Sequence, residues 1–198
     1  MADIVIDLLF LSGSSHIGSA HWRLATAAAA LTSRAFGSEA TATVIDLSDV
    51  DLPNFSESDG VAQTMPSDAV TLRNRLLQAN GVFMSSDEYT GTYSAVLKNT
   101  IRWLSALDAE GETPFRGLPV VLCGASSRGT GALRGQPALA QLLTELGAHV
   151  ISQHLEMGTA AGLFDEQGRL RQRFERQLVE NGLFQLIEAG KNIRVSNP

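Results

Sequence analysis

The sequence predicts an α/β fold in which a parallel β-sheet is covered by helices on both faces. Short, nearly continuous apolar runs alternate along the chain with segments whose apolar residues recur every three or four positions. Apolar runs of this kind are typical of strands buried on both faces, and such strands occur in parallel sheets joined by helices. Five strands and five helices are expected, without an internal repeat or a linker, so residues 1–198 are predicted to form a single domain.

The first half of the chain supplies three strands and three helices of this pattern. Strands are predicted over residues 4–11, 43–47 and 81–84, because each is a short apolar run. The polar segment 48–64 is predicted to be a loop, and a helix is predicted over 66–79. Apolar residues at helical spacing mark the three helices: Leu24, Ala27, Ala28, Leu31 and Ala35, then Leu72, Leu76 and Leu77, then Leu97, Ile101, Leu104 and Leu107.

The second half repeats the alternation. A fourth strand is predicted over 118–123, and a fifth begins at His149. Between them, Gly147 ends a helix because glycine readily adopts the left-handed conformation that closes helices. The apolar residues of that helix are Leu139, Leu142, Leu143 and Leu146. A last helix is predicted from about 168 to 189.

Composition excludes several classes of partner. The chain has a net charge of -6 with 44% hydrophobic and 18% charged residues. An acidic surface repels nucleic acid backbones and anionic membranes, so neither is expected as a partner. The apolar run 8–11 is too short for a secretory core or a membrane span.

The single cysteine, Cys123, permits no internal disulfide and is expected to be a buried small hydrophobe. A cytoplasmic location is therefore expected.

Three loops are the places to look for a ligand. In open parallel sheets, ligands bind at the carboxyl ends of the strands, near the point where strand order reverses. The loops at those ends cover residues 12–20, 85–95 and 124–132. Because the protein is acidic, any bound phosphate must be held locally by backbone N–H groups and hydroxyls.

The first of these loops predicts a phosphate cradle. It is small and rich in hydroxyls, with Ser12, Ser14 and Ser19, and it leads into a helix whose N-terminus presents free N–H groups. An ordinary strand–helix turn with a capping serine would have the same composition. The chain lacks the P-loop ending, the G-x-G-x-x-G fingerprint, the G-x-S-x-G elbow and metal-ligand spacings. No metal and no tight dinucleotide site are therefore expected.

The second loop and the helix after it carry a resemblance. Residues 86–103 are similar to the T-P-E-Y-N-x-S-x-P-G-x-L-K-N-x-I-D-W signature of NAD(P)H-dependent FMN reductases. Residues 12–19 resemble that family's G-S-x-R-x-x-S phosphate loop, residues 126–134 its glycine-rich segment, and residues 163–170 its F-D-E-x-G-x-L approach to the last helix. The signature positions kept in register are Glu88, Tyr89, Gly91, Leu97, Lys98, Asn99, Ile101 and Trp103.

The resemblance implies a flavodoxin-like fold with a five-stranded parallel sheet, bound FMN, and NAD(P)H as a transient co-substrate. Hydride would pass from the nicotinamide to FMN and then to a flavin, a quinone or another small acceptor. Together with the loop composition, it implies cofactor binding by Ser12, Ser14, His16, Ser19, Ala20, His21, Ser86, Asp87, Glu88, Tyr89, Thr90, Ser126, Ser127, Arg128 and Gly129. No catalytic acid or base is implied, since the cofactor carries the chemistry.

The resemblance also implies a homodimer or homotetramer whose subunit contact lies near the third helix. Trp103 stands on that helix beside an apolar stripe that already fills one face. A large aromatic side chain outside that stripe is expected to need a second surface to cover it, and a neighbouring subunit would supply one.

Several positions depart from the family pattern. The phosphate-binding Arg is replaced by His16, a later Asn by His21, the Pro of the second loop by Asp87, and its Asn by Thr90. The Pro-Gly before the third helix is replaced by Ser94-Ala95. Loss of the Arg removes a bidentate phosphate partner, so weaker FMN binding is expected. Two other functions therefore stay open: a flavin-binding electron carrier without NAD(P)H activity, and a regulatory module with a degenerate FMN site.

Overall fold

The α/β fold is confirmed by the computed structural model, which describes residues 5–56, 64–106, 113–126, 134–151, 155–159 and 162–196. The strands are β1 (Ile6–Gly13), β2 (Ala40–Asp46), β3 (Gly81–Ser86), β4 (Glu88–Tyr89), β5 (Thr92–Tyr93), β6 (Pro119–Ser126), β7 (His149–Val150) and β8 (Leu155–Thr159). The helices are α1 (Ala20–Ala35), α2 (Ser67–Gln78), α3 (Ala95–Ala106), α4 (Gly135–Glu145) and α5 (Arg173–Ser196), with a 3₁₀ turn over Leu47–Asp49.

The main sheet is parallel and has the strand order β2-β1-β3-β6, followed by β7 and β8, which both pair with β6. β7 and β8 therefore occupy the place of one edge strand in two pieces. The chain runs from β1 to one side for β2 and to the other side for β3. Strand order reverses at that point, which is where a ligand is expected in this fold class. The flavodoxin-like sheet with helices on both faces is thus as predicted.

Each face of the sheet buries its own apolar cluster. Leu8 and Phe10 point to the face covered by α1 and α5, whereas Leu9 and Leu11 point to the face covered by α2, α3 and α4. Successive residues of a strand point to opposite faces, so a strand buried on both sides must be apolar throughout. This explains why the strands read as unbroken apolar runs. In the described part of the chain, no helix is long and apolar enough to cross a membrane.

The last helix begins five residues later than the sequence predicts. The Asp165 carboxylate accepts hydrogen bonds from the backbone amides of Gln167 and Arg169 and from the Arg169 side chain. Gly168 has a positive φ of 76°. The aspartate side chain therefore captures amides that a helix would use, and the turn at Gly168 cannot continue as a right-handed helix. α5 starts only at Arg173.

A short hairpin, β4–β5, was not predicted. Glu88 pairs with Tyr93 and Tyr89 with Thr92 in antiparallel register. Strand β3 also runs two residues past its predicted end, because Ser85 and Ser86 are buried in the sheet although their side chains are polar. The hairpin lies directly after that extension and forms the upper part of the second loop. Its turn residues, Thr90 and Gly91, both have positive φ.

Candidate functional site

The topology brings two of the three predicted loops side by side. Ser12 pairs with Ser85, and Gly13 pairs with Ser86, at the carboxyl ends of β1 and β3. Residues 14–19 and 87–91 leave the sheet from these adjacent ends. β6 ends next to β3, so its terminal residue, Ser126, belongs to the same edge. The site is therefore built at the strand-order reversal.

Three serines give the first loop its shape. Ser12 is fully buried, and its Oγ has no hydrogen-bond partner among the described residues. The buried Ser14 Oγ accepts from the His16 amide at 3.3 Å, and the Ser19 Oγ accepts from the Trp22 amide at 3.0 Å as the N-cap of α1. A hydroxyl that accepts can still donate its own proton. All three hydroxyls therefore keep a proton for a bound anion.

The same loop presents backbone donors. Residues 15–18 are exposed, and the first turn of α1 begins at Ala20. In the described structure, the amides of Ser15 and Gly18 have no hydrogen-bond acceptor, and neither has the amide of Ala20. Free N–H groups at the start of a helix, together with the helix dipole, favour an anion. The predicted phosphate cradle thus has the donors that it needs.

His21 lies beneath the cradle rather than on its open side. It is buried, and its Nδ1 lies 3.0 Å from the Oγ of Ser85 on β3. Burial lowers the pKa of His21 to about 4, so the ring is neutral at ordinary pH. His21 therefore contributes a neutral contact between α1 and β3, not a positive charge for a phosphate.

Asp87 lies near enough to His16 to be influenced by its charge. Burial raises the pKa of the Asp87 carboxyl, while its own backbone amide and the charge of His16 act in the opposite direction. The Oδ1 atom of Asp87 is buried without a hydrogen-bond partner in the described part of the chain. His16 itself is exposed and lies 3.4 Å from the Ser15 hydroxyl through its Nδ1. The histidine thus stands where a positive partner for an anion is expected.

Glu88 fixes the hairpin to α4. Its Oε2 accepts from the backbone amides of Arg134 (2.8 Å) and Gly135 (3.3 Å), and its Oε1 accepts from the Arg134 side chain. The hydrogen bond from the Arg134 amide is the main reason why the pKa of Glu88 is lowered. A Cβ at Gly135 would lie 3.2 Å from the Thr92 carbonyl carbon, so glycine permits this close approach. The Glu88 carboxylate is thus paired with Arg134 and the first amides of α4, and it is not directed at a ligand.

Ser94 ties the two loops together, a role that was not predicted from the sequence. Its hydroxyl donates to the Gly13 carbonyl and accepts from the Leu97 amide at 3.2 Å, which caps α3. The neighbouring Ser86 Oγ accepts from the Ser94 amide at 3.5 Å and donates to the Asp87 carbonyl at 3.1 Å. A serine immediately before a helical apolar pattern is a capping signal, and that signal was available in the sequence.

The signature residues of α3 hold a segment of the same chain. Asn99 accepts from the Phe55 amide at 2.8 Å and donates to the Pro53 carbonyl at 3.0 Å. Trp103 is buried; its Nε1 donates to the Pro53 carbonyl at 2.7 Å, and its ring meets Phe55 edge-on. The expectation that Trp103 needs a neighbouring subunit to cover it is therefore wrong, because residues 53–55 already do so.

The remaining predicted site residues fall partly outside the described structure. Ser127, Arg128 and Gly129 lie outside the described residues, as do the side chains of Tyr89 and Ser126. The backbone of Tyr89 is in the hairpin. Among the described residues, no three His, Cys, Asp or Glu side chains lie close enough together to hold a metal ion. Cys123 is buried in the sheet, and burial raises the pKa of its thiol.

Comparison with known proteins gives a consistent result. The family model described as NADPH-dependent FMN reductase matches residues 6–162. An NAD(P)H-dependent FMN reductase of Pseudomonas aeruginosa is 31% identical over 180 residues, which cover 90% of this chain and 91% of that protein. A quinone reductase of Escherichia coli is 32% identical over 108 residues, covering 54% of this chain and 56% of that protein.

The fold has counterparts among solved structures. FerB, a flavoenzyme NAD(P)H:(acceptor) oxidoreductase from Paracoccus denitrificans, superposes with a TM-score of 0.73 at 18% identity. The match covers 94% of this chain and 98% of that one. At this identity the likeness concerns the fold alone.

Proposed function

The chain belongs to the NADPH-dependent FMN reductase family, an oxidoreductase family that uses FMN and NAD(P)H, and from this premise we propose how its own residues serve that activity. We propose that loop 12–19 holds the FMN phosphate and that residues 86–90 lie against the flavin ring. When bound, FMN supplies the chemistry: it accepts hydride from NAD(P)H and passes two electrons to a small acceptor. The protein binds, orients and shields it.

The orphaned hydroxyl of Ser12 is the observation that carries this proposal. A buried polar atom without a partner is costly, so a site that supplies a partner is favoured. Ser12 lies at the floor of a loop that offers free amides and the hydroxyl protons of Ser14 and Ser19. A phosphate monoester has enough acceptor oxygens for all of these donors. The residues present therefore fit FMN without the Arg that the family pattern has at His16.

His16, Ala20 and His21 take different parts in this proposal. The exposed His16 ring donates to the phosphate, and the Ala20 amide adds a backbone donor at the start of α1. His21 supports the cradle from below through Ser85. A neutral buried histidine in this place fixes the first turn of α1 against β3, so the free amides keep their direction.

The second loop positions the ring without adding much repulsion. Glu88 is neutralised by Arg134 and the start of α4. Burial raises the pKa of the Asp87 carboxyl, and the charge of His16 acts in the opposite direction, so this carboxyl has a cationic group near it. Tyr89 is in strand β4 and Thr90 is in the hairpin turn, and the ring would lie against this hairpin. Backbone donors of residues 126–129, including Arg128, would stabilise the charge that develops on the reduced ring.

The proposal also covers the co-substrate, the electron acceptor, the location and the assembly of the protein. The nicotinamide cofactor binds transiently and leaves before the acceptor enters, since the chain has no dinucleotide fingerprint. Flavins and quinones are the acceptor class, in line with the names of the relatives.

We also infer that residues 1–198 form one FMN-binding domain, that the location is cytoplasmic, and that the protein is a homodimer or homotetramer.

Titration of the flavin-free protein with FMN and with riboflavin tests the cradle. Riboflavin lacks the phosphate, so FMN is expected to bind more tightly, with saturable quenching of flavin fluorescence. Changing Ser14 or Ser19 to Ala removes one phosphate donor and should weaken FMN binding by on the order of 1–2 kcal/mol each. Riboflavin binding should be unchanged in both variants.

The matched control is Ser33→Ala near the other end of α1, where the hydroxyl donates to the Ala29 carbonyl. FMN binding in this variant should equal that of the parent. Equal affinity of the parent for FMN and riboflavin would refute the cradle. Bleaching of the bound flavin on anaerobic addition of NADPH then separates a reductase from an electron carrier.

A further inference from the structure

A groove on the α1 face of the molecule begins beside the first loop and runs away from it along the helix. It encloses about 420 Å³ between α1 on one side and residues 167–170 with the start of α5 on the other. Along α1 its lining runs from Trp22 in the first turn to Arg34 in the last. The rise from residue 22 to residue 34 is about 18 Å, so the groove follows almost the whole helix. Its volume is in the range of small-molecule sites.

The lining has an unusual charge for this protein. Four arginines line it, namely Arg23, Arg34, Arg169 and Arg176, and among its described lining residues there is no Asp or Glu. The whole chain has only 15 Lys and Arg and a net charge of -6. A concave surface with one sign of charge concentrates the field and attracts ligands of the opposite sign. The groove therefore favours an anion on a protein whose net charge is negative.

Two of these guanidinium groups are available to a ligand. Arg169 pairs with Asp165, and Arg176 donates to the Leu170 carbonyl. Arg23 stacks at 4.2 Å over the Phe164 ring, and the described residues give neither Arg23 nor Arg34 a hydrogen bond or ion pair. Stacking orients a guanidinium and leaves its N–H edge free. Arginine in this form recognises phosphate through two parallel hydrogen bonds.

The other residues that line the groove indicate which class of anionic ligand it binds. The Thr26 Oγ1, between the two free arginines on the helix, is buried and has no partner among the described residues. Ala27, Ala30 and Leu31 form an apolar floor, and the Trp22 ring stands partly exposed at one end. An aromatic ring stacks on a nucleobase, and an apolar floor accommodates a sugar–base body. From these observations we propose that the groove binds a nucleotide that carries a phosphate monoester.

Two kinds of ligand contain such a nucleotide, and both carry a phosphate monoester. One is the adenosine half of NADPH, whose 2′-phosphate is a monoester. The other is a separate nucleotide that binds independently of the redox reaction. Nucleotide binding in the groove is measured directly. The proposal for the groove can therefore be wrong while the proposal for FMN binding at the first loop is right, and the reverse is also possible.

Calorimetric titration of the FMN-loaded protein with adenosine 2′,5′-bisphosphate tests the site. One molecule should bind per chain, more weakly as salt is raised because the contacts are ionic. Arg34→Ala should raise the dissociation constant at least tenfold. Arg116→Ala removes the same charge at an exposed turn away from the groove and should leave the dissociation constant unchanged. FMN content and melting temperature, measured on both variants, establish that each is folded.

Steady-state kinetics of Arg34→Ala then distinguish the sources. A raised KM for NADPH with an unchanged KM for NADH assigns the groove to the co-substrate. Loss of bisphosphate binding with both KM values unchanged assigns it to a separate nucleotide, and either result supports the site. Absence of binding to the parent, or equal weakening in Arg34→Ala and Arg116→Ala, would overturn the proposal.

Discussion

At the scale of single residues, the burial of His21 beneath the first loop is expected to make the fold sensitive to acid. His21 and Ser85 are 64 positions apart in sequence and in contact in the fold. Ser12 pairs with Ser85 in the sheet. These side chains form a small polar layer between the apolar core and the first loop. A polar layer of this kind is stable only while its members keep the protonation state that suits burial.

Replacement of His21 by Asn should flatten the acid sensitivity of the fold. In the unfolded chain the histidine takes up a proton near pH 6.5, whereas in the folded protein burial lowers its pKa to about 4. Between these values the unfolded state binds the extra proton, so stability falls as pH falls. The shift corresponds to about 3 kcal/mol lost by pH 4. Urea unfolding of parent and variant from pH 7 to pH 4 measures the difference.

The matched control is His149→Asn, at an exposed position on β7. Its unfolding profile should run parallel to that of the parent. If His21→Asn also ran parallel to the parent, the imidazole would not be buried as a neutral ring.

The sequence predicts the serines of the first loop as phosphate donors, but it does not predict the contacts that support that loop. Ser12, Ser14 and Ser19 were predicted because a hydroxyl-rich turn before a helix is a local pattern. The contacts of His21 with Ser85 and of Glu88 with Arg134 join residues that are distant in the chain. No local periodicity encodes such pairs, so they follow only from the packing of α1 on β3 and of the hairpin on α4.

At the scale of elements, the β4–β5 hairpin contains one residue in an unfavourable conformation. Thr90 has φ of 52° and Gly91 has φ of 84°. Tight hairpins with positive φ at both turn positions favour Asn-Gly, and a β-branched residue is poorly suited to the first position. The element formed nonetheless because Glu88 and Gly135 dock it against α4.

Thr90→Asn should therefore stabilise the protein by about 1 kcal/mol, since Asn adopts positive φ at lower cost. Thermal unfolding of the flavin-free protein measures the gain. Thr92→Asn makes the same substitution two residues on, in strand β5, and should give no gain because Asn is a poor strand residue. Equal effects of the two substitutions would show that the conformation of Thr90 carries no strain.

Element types were predictable, while several boundaries were not. Five helices and the apolar strands followed from periodicity. β3 was predicted to end at Met84 because Ser85 and Ser86 look like loop residues, but the structure buries both of them in the sheet. The fifth strand was expected at His149 and is present as two short pieces, β7 and β8, beside β6. Edge pairing depends on the neighbouring strand and not on the local sequence.

At the scale of the whole molecule, we expect several copies of the chain to associate. We expect a particle of at least twice the 21.1 kDa chain mass in light scattering at micromolar concentration. Since each chain has a net charge of -6, association should strengthen as salt screens the repulsion between copies. Ala95→Glu, at the exposed start of α3, should weaken the assembly if that region forms the contact.

Ser33→Glu adds the same charge on an exposed part of α1 and serves as the control. It should leave the particle mass unchanged. A monomer for the parent at every salt concentration would contradict the assembly, and equal dissociation by the two variants would place the contact away from α3.

The anchoring of residues 53–55 by Asn99 and Trp103 bears on how such proteins are recognised and how they diverge. In this chain, Asn99 and Trp103 of the L-K-N-x-I-x-W motif secure residues 53–55, a role that does not itself require a cofactor. A lineage could lose its flavin and still keep the motif, because folding alone would preserve it. The motif on α3 can thus mark ancestry by itself, whereas the proposed binding of FMN depends on the serines of the first loop.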